Sequence, residues 1–386
     1  VDVTVDDAWS DAALARGAVA DIDLVALRHN VRVLRERTAT PLLAVVKADA
    51  YGHGLVACAR AAVAEGVDWL GVALPTEAAR LREGGIDARV LTWLEVPGSP
   101  FEECVHHDVD VTVSARWALD AVVTAARTAG RAARVQLKVD TGLSRNGATA
   151  DEWPALVAAA RAAETAGDVE VTGVWTHFAC ADEPAHPSVA AQLAAFRGAL
   201  DVARSAGLSP TVVHAANSAA ALAVPEARFD LVRVGIAMYG LSPGPEIGTA
   251  DELGLRPVMT LRGRFASVKR VPAGSGVSYG HTAVTERETT LGLLPVGYAD
   301  GIPRAGSGRL TATVEGVARP VLGRVCMDQV VVDLGEAQVA VGDEAVIFGS
   351  GGPSADDVAA SCGTIGYEIV TRIGPRVPRV HREVTT

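Results

Sequence analysis

The run LLAVVK at residues 42–47, followed at residues 53–65 by HGLVACARAAVAE, shows in miniature how the first two-thirds of this chain is organised. A short aliphatic and β-branched run of this kind suits a strand buried on both faces, and the Ala-rich stretch behind it has helical period. The pairing recurs. Strands are expected at residues 42–47, 69–74, 89–94, 109–114, 134–140, 169–178, 211–217 and 231–239. Helices are expected at residues 24–37, 53–65, 115–128, 151–165 and 188–205. Eight strands alternating with helices is the count of an eight-stranded parallel (β/α)8 barrel of the TIM type.

Residues 241–257, LSPGPEIGTADELGLRP, are rich in Gly and Pro and interrupt that rhythm. Beyond them come short strands with Gly turns, expected at residues 259–271, 289–295, 310–321, 329–332 and 344–348. The division that follows is a barrel at residues 1–250, with 1–20 as an N-terminal extension, and a smaller, mostly β domain at residues 251–386.

Composition narrows the function. The 386 residues carry a net charge of −11 with no block of Lys and Arg, so nucleic acid and anionic membrane are not expected as partners. No apolar run is long enough to span a bilayer. The first 21 residues hold Asp6, Asp7 and Asp11 and no apolar core behind a basic start, so no secretory signal is expected there. Five scattered cysteines (Cys58, Cys104, Cys180, Cys326, Cys362) with no Cys-x-x-Cys suggest neither disulfides nor a metal site, and fit a reducing cytoplasm.

Polar residues fall where a barrel interior should be apolar. In-out alternation along residues 134–140 turns Val135, Leu137 and Val139 towards the helices and Gln136, Lys138 and Asp140 inward. The same alternation turns Arg233 and Gly235 inward on the eighth strand, and an arginine cannot escape burial by losing its proton. Lys47 closes the first strand at the C-terminal end, where barrel enzymes keep their chemistry. One lysine there is ordinarily a solvated rim residue, but three inward cations from three strands are not ordinary. His177 and the pair Asn217 and Ser218 end the sixth and seventh strands at the same mouth. Ser218, Gly235 and Ile236 lie where barrels often bind phosphate, although Asn-Ser is also an ordinary helix cap.

The residues themselves form a series: AVVKADAYGHG (44–54), KVDTGLSRNG (138–147), THFA (176–179), HAANSAA (214–220), VRVGIAMYG (232–240), VSYG (277–280), GYADG (297–301) and GRVCMDQ (323–329). In that order, over nearly the whole chain, the series resembles the alanine racemase family. The resemblance implies that Lys47 binds pyridoxal 5'-phosphate (PLP) covalently and is one catalytic base. Tyr51, Ser218, Gly235, Ile236 and Tyr367, in the tail motif IGYE, would hold the phosphate. Arg233 would face the pyridine nitrogen with His177 supporting it, and Asn217 would also bind the cofactor. Arg145 would lie near the cofactor's phenolic oxygen and the substrate carboxylate, and Met327, through its backbone N–H, would help bind that carboxylate from the partner subunit. Tyr279 would be the opposite base, and a carbamylated lysine is implied at Lys138. The implied protein is a cytoplasmic homodimer with shared sites that supplies D-alanine for peptidoglycan. Asp49, where many members have Asn, and His381, where a tyrosine is usual, depart from the pattern without touching these residues.

The chemistry is consistent with two bases on opposite faces of an α-carbon. Free lysine and tyrosine both titrate near about 10, so each must be shifted downward to act at neutral pH. An arginine at the pyridine nitrogen keeps its proton and leaves the ring a weaker electron sink, which favours quick reprotonation over transamination. The alternatives are a racemase of broader choice or one for serine, a non-catalytic PLP-binding protein confined to the barrel, and a basic-amino-acid decarboxylase with an acid in place of Arg233.

Overall fold

The computed structural model describes residues 11–383; residues 1–10, which include Asp6, Asp7 and half of the expected extension, lie outside them. Eight parallel strands form one sheet: Leu42–Val45, Trp69–Val72, Arg89–Thr92, Val109–Val113, Ala133–Lys138, Val169–Trp175, Val212–His214 and Val232–Val234. Each pairs with the next through the seventh, and the first pairs with the eighth in the register Leu43 to Arg233. The remaining seam is bridged by two backbone bonds, Asp230 N–H to Val213 O at 3.0 Å and Arg233 N–H to Ala216 O at 2.9 Å. The Asp230 carboxylate adds a third bond, accepting from Val213 N–H at 2.8 Å. The sheet is thus a nearly closed barrel with the helices outside it.

Local chemistry sets the helix ends. Leu24–Thr38 starts on Asp23, whose carboxylate accepts from the N–H groups of Val25 and Ala26, a cap worth about 1 kcal/mol. It stops where Ala39 turns left-handed, at φ 51°. Its buried face, Leu24, Leu27, Val31 and Leu34, has the 3–4 spacing of an amphipathic helix. Arg116–Ala129 repeats the pattern with Leu119, Val122 and Ala126 and ends on Gly130, at φ 68°.

After the barrel the chain builds a nine-stranded, mainly antiparallel sheet. The expected strand at 259–271 is two, Met259–Arg264 and Ser267–Val271, and that at 310–321 is also two, Thr311–Val314 and Val317–Leu322. Two short helices, Ala355–Cys362 and Gly366–Thr371, were not anticipated.

Two expectations need correction and one gains detail. Within the expected extension begins Ala18–Asp23, a strand of the nine-stranded sheet, antiparallel to Met259–Arg264 and parallel to Arg379–Arg382. The eighth barrel strand ends at Val234, because Gly235 at φ −119° and ψ −95° leaves the extended region and Ile236–Tyr239 forms a 3₁₀ turn. Asp140 does not enter the barrel. The fifth strand ends at Lys138, and the Asp140 carboxylate accepts from the N–H groups of Gly142, Leu143 and Ser144.

Candidate active site

At the C-terminal mouth of the barrel lies a cavity of about 590 Å³. It is lined by Lys47, Tyr51, Lys138, Arg145, His177, Asn217, Ser218, Arg233, Gly235, Ile236 and Tyr367, together with Trp93, Trp175, Ile365, Glu368 and Thr371 among others. One end gathers small groups and hydroxyls. The Gly235 N–H donates to Ser218 Oγ at 2.9 Å, and a Cβ on Gly235 would sit 2.5 Å from the Tyr51 hydroxyl. Asn217 caps the helix Ser218–Ala223, its side chain accepting from Ala220 N–H at 3.0 Å while it also lines the cavity. The other end is cationic. The one carboxylate on the lining, Glu368, pairs with Arg372 at 2.9 Å.

Arg233 is held at the floor by acceptors alone. Its guanidinium donates to the carbonyls of Thr176 and Ala215, both at 2.9 Å, to His214 Nδ1 at 2.8 Å and to His177 Nδ1 at 3.1 Å. A guanidinium cannot accept, so both imidazoles turn an unprotonated nitrogen to it. The His214 proton then sits on Nε2 and is donated to Gln136 Oε1 at 2.7 Å. Burial, then the Arg233 charge, drives both histidines well below their ordinary value. Burial also lowers Arg233 to about 9, which leaves it charged at neutral pH. Trp175, stacked on His214, presents its ring to Arg233 at 4.7 Å and to Lys138 at 4.4 Å. Lys138 is lowered to about 7 by burial, then by Arg233 and Arg145.

Lys47 leaves the first strand into an unusual backbone. Ala48, Asp49, Ala50 and Tyr51 all have φ between 52° and 55°, and together make one left-handed helical turn of four residues that are not glycine. Such a conformation costs roughly 1–2 kcal/mol per residue, or roughly 4–8 kcal/mol in all, so neighbours must hold it. Ala50 N–H bonds to Val46 O at 2.8 Å, Leu55 N–H bonds to the Asp49 carboxylate at 3.1 Å, and His53 Nδ1 contacts the carbonyls of Ala50 and Tyr51 at 2.9 Å. His381 Nε2 meets the His53 carbonyl at 2.8 Å. The turn fixes the lysine amine and the Tyr51 hydroxyl on one cavity wall. The Lys47 amine is lowered by burial, then by Arg145, against the opposing pull of Glu77.

Tyr279 and Met327 do not line this cavity. They are 70% and 52% exposed, on neighbouring turns of the second sheet's loops, which Ser278 joins by donating to the Arg324 carbonyl at 2.7 Å. Sequence reasoning missed His214, Trp93 and Trp175. For His214 and Trp175 the signal was available, since alternation along their strands turns both inward; Trp93 lay inside the expected strand at 89–94 but falls just past the observed end at Thr92. Among the described residues no group of three or more His, Cys, Asp or Glu could hold a metal, and no helix is long and apolar enough to cross a membrane.

A barrel with a cation-rich cavity at its C-terminal mouth, flanked by the helix Gly366–Thr371, has the arrangement of an enzyme of the (β/α)8 class. The family model described as alanine racemase, N-terminal domain, matches residues 22–243, and that described as alanine racemase, C-terminal domain, matches residues 258–381. The alanine racemase of Streptomyces coelicolor is 58% identical over 96% of this chain and 97% of its own. The crystal structure of alanine racemase from D-cycloserine-producing Streptomyces lavendulae superposes with a TM-score of 0.94 at 58% identity, covering 95% of this chain and 97% of that one. That from Corynebacterium glutamicum gives 0.82 at 38% identity, covering 95% and 99%. The chain belongs to the alanine racemase family.

Proposed function

We propose that this chain interconverts L-alanine and D-alanine with PLP as cofactor, by two bases on opposite faces of the substrate, and supplies D-alanine for peptidoglycan in the cytoplasm. The observation that carries the reading is the cavity: a primary amine with lowered basicity, an end built of hydroxyls and glycine for an anion, and a guanidinium at the floor. A phosphorylated ring aldehyde fits that donor set. Tyr51, Ser218, Gly235, Ile236 and Tyr367 would hold its phosphate and Lys47 its aldehyde carbon. Arg233, backed by His177 and beside Asn217, would face its ring nitrogen. PLP, when bound, supplies an electron sink for the bonds of the substrate α-carbon.

The remaining work falls to the chain's own groups. Arg233 keeps its proton and so limits how strongly the sink draws. Arg145 offers charge to the substrate carboxylate. Lys47 Nζ removes or returns the α-proton on one face, and the partner's Tyr279 does so through its hydroxyl on the other. The partner's Met327 adds its backbone N–H to the carboxylate site. The exposure of Tyr279 and Met327, away from their own chain's cavity, supports a homodimer with shared sites. Lys138, titrating near 7, is largely neutral in mildly alkaline solution, as carbamylation by dissolved CO2 requires. The test is chiral chromatography of L-alanine incubated with purified protein and PLP. No D-alanine would refute the proposal, and faster turnover of serine would reassign the substrate.

A further inference from the structure

We infer that Glu77 is a positioning residue for Lys47, its carboxylate pinning the left-handed turn beside the lysine. The inference rests on the proposed role of Lys47, but it is read on the amine itself.

Glu77 lies in the first turn of helix Pro75–Glu83 and is 9% exposed. Its Oε2 accepts from Ala73 N–H at 2.9 Å and Leu74 N–H at 3.1 Å, as an acid at this helix position commonly does. That task needs one oxygen. The other, Oε1, reaches across to the first strand's end and accepts from Ala48 N–H at 2.6 Å. Ala48 is the first left-handed residue and the immediate neighbour of Lys47. A single carboxylate thus joins the ends of two adjacent barrel strands and enforces the backbone direction in which Lys47 leaves its strand.

The charge has a second effect. Around Lys47 the loop after the fifth strand brings Arg145, the barrel floor brings Lys138 and Arg233, and the sixth strand's end brings His177. Glu77 is the carboxylate among the charges that act on the amine, and it favours the protonated form that burial and Arg145 oppose. Tyr239, buried in the same region, has its hydroxyl occupied with the Val45 carbonyl at 3.0 Å. Glu77 therefore sets both where the amine points and how readily it holds a proton.

The chain has three lysines, Lys47, Lys138 and Lys269, so each can be followed separately. Full-length protein freed of cofactor is pulsed with acetic anhydride across a pH series, and acetylation is read by peptide mass spectrometry against exposed Lys269. In Glu77→Gln, which keeps the side chain's size, the Lys47 midpoint should fall below wild type while that of Lys138, whose charged neighbours are Arg233, Arg145, Glu95 and Asp140, stays in place. Glu77→Asp, which keeps the charge, should bring the midpoint back towards wild type. An unmoved Lys47 midpoint in folded Glu77→Gln overturns the proposal. Equal movement of Lys138 overturns it too, since that would signal general loosening. A further reading needs no variant: Ala48 N–H should exchange slowly with deuterium in the wild type, and fast exchange overturns the bond. An unmoved Lys47 midpoint overturns the role of Glu77 alone, whereas the role of Lys47 fails only if Lys47→Ala still racemises alanine.

Discussion

Replacing Gly235 with alanine should weaken cofactor binding through a single contact. The added methyl would lie 2.5 Å from the Tyr51 hydroxyl and 3.1 Å from the ring carbon that bears it. Tyr51 cannot simply swing aside. It is 8% exposed, at the end of the left-handed turn, with the Tyr239 ring 4.9 Å and the Tyr367 ring 6.3 Å from its own. Forcing a methyl into such a site costs about 1–3 kcal/mol. If the strain is expressed in binding, affinity falls roughly 5- to 150-fold. The assay is absorbance titration of cofactor-free protein with PLP. Tyr51→Phe removes the nearer of the two clashing atoms, so Gly235→Ala should cost less in that background, with a coupling of about 0.5 kcal/mol or more. Equal losses in both backgrounds, or none in either, would show that the glycine is not there to make room for the tyrosine.

Mixing inactive Lys47→Ala with inactive Tyr279→Phe under subunit exchange should restore about a quarter of wild-type activity, because half the dimers are mixed and each has one intact site; no recovery despite heterodimers seen by mass spectrometry would place both bases on one chain. Arg233→Glu should slow racemisation and raise the yield of pyruvate relative to D-alanine, and an unchanged ratio would remove the arginine from control of the ring nitrogen. For stability, His53 is fully buried and lowered to about 4 from its ordinary 6.5, by burial above all. Below pH 6.5 the unfolded chain takes up a proton that the folded one refuses, so stability falls from there towards pH 4, by up to roughly 3 kcal/mol from this residue. His53→Phe should flatten that slope in denaturant titrations at pH 7 and pH 4.5, with His177 and His214 keeping the rest; an unchanged slope would refute the assignment.

Periodicity made the barrel legible, because strands buried on both faces read as aliphatic runs and their inward polar exceptions stand out. Lys138 and Arg233 were found that way, His177 by its place at a strand end, and the structure brings all three to one cavity. What stayed hidden depends on partners distant in the chain. Ala18–Asp23 is six residues whose pairing partners begin more than 230 positions away, so nothing local marks it as part of the second sheet. The left-handed turn was equally invisible: Ala48 and Ala50 have no preference for positive φ, Asp49 only a modest one, and all are held there by tertiary bonds such as that from Glu77. Tyr367 and Tyr279 entered through resemblance rather than pattern, since a tyrosine in a turn carries no signature of its own.

The strand at Ala18–Asp23 also bears on the order of assembly. It lies between Met259–Arg264 and Arg379–Arg382, so the sheet's last strand is attached only through a segment made before the barrel. A fragment beginning at residue 258 would contain Arg379–Arg382 with nothing to pair it and an open edge along Met259–Arg264, a template for misassociation. The barrel can close while the ribosome is still at work, but the strand that precedes it must wait, unpaired, until the second sheet emerges. Maturation of the sheet is thereby tied to completion of the chain, and a prematurely ended product would keep that edge unpaired.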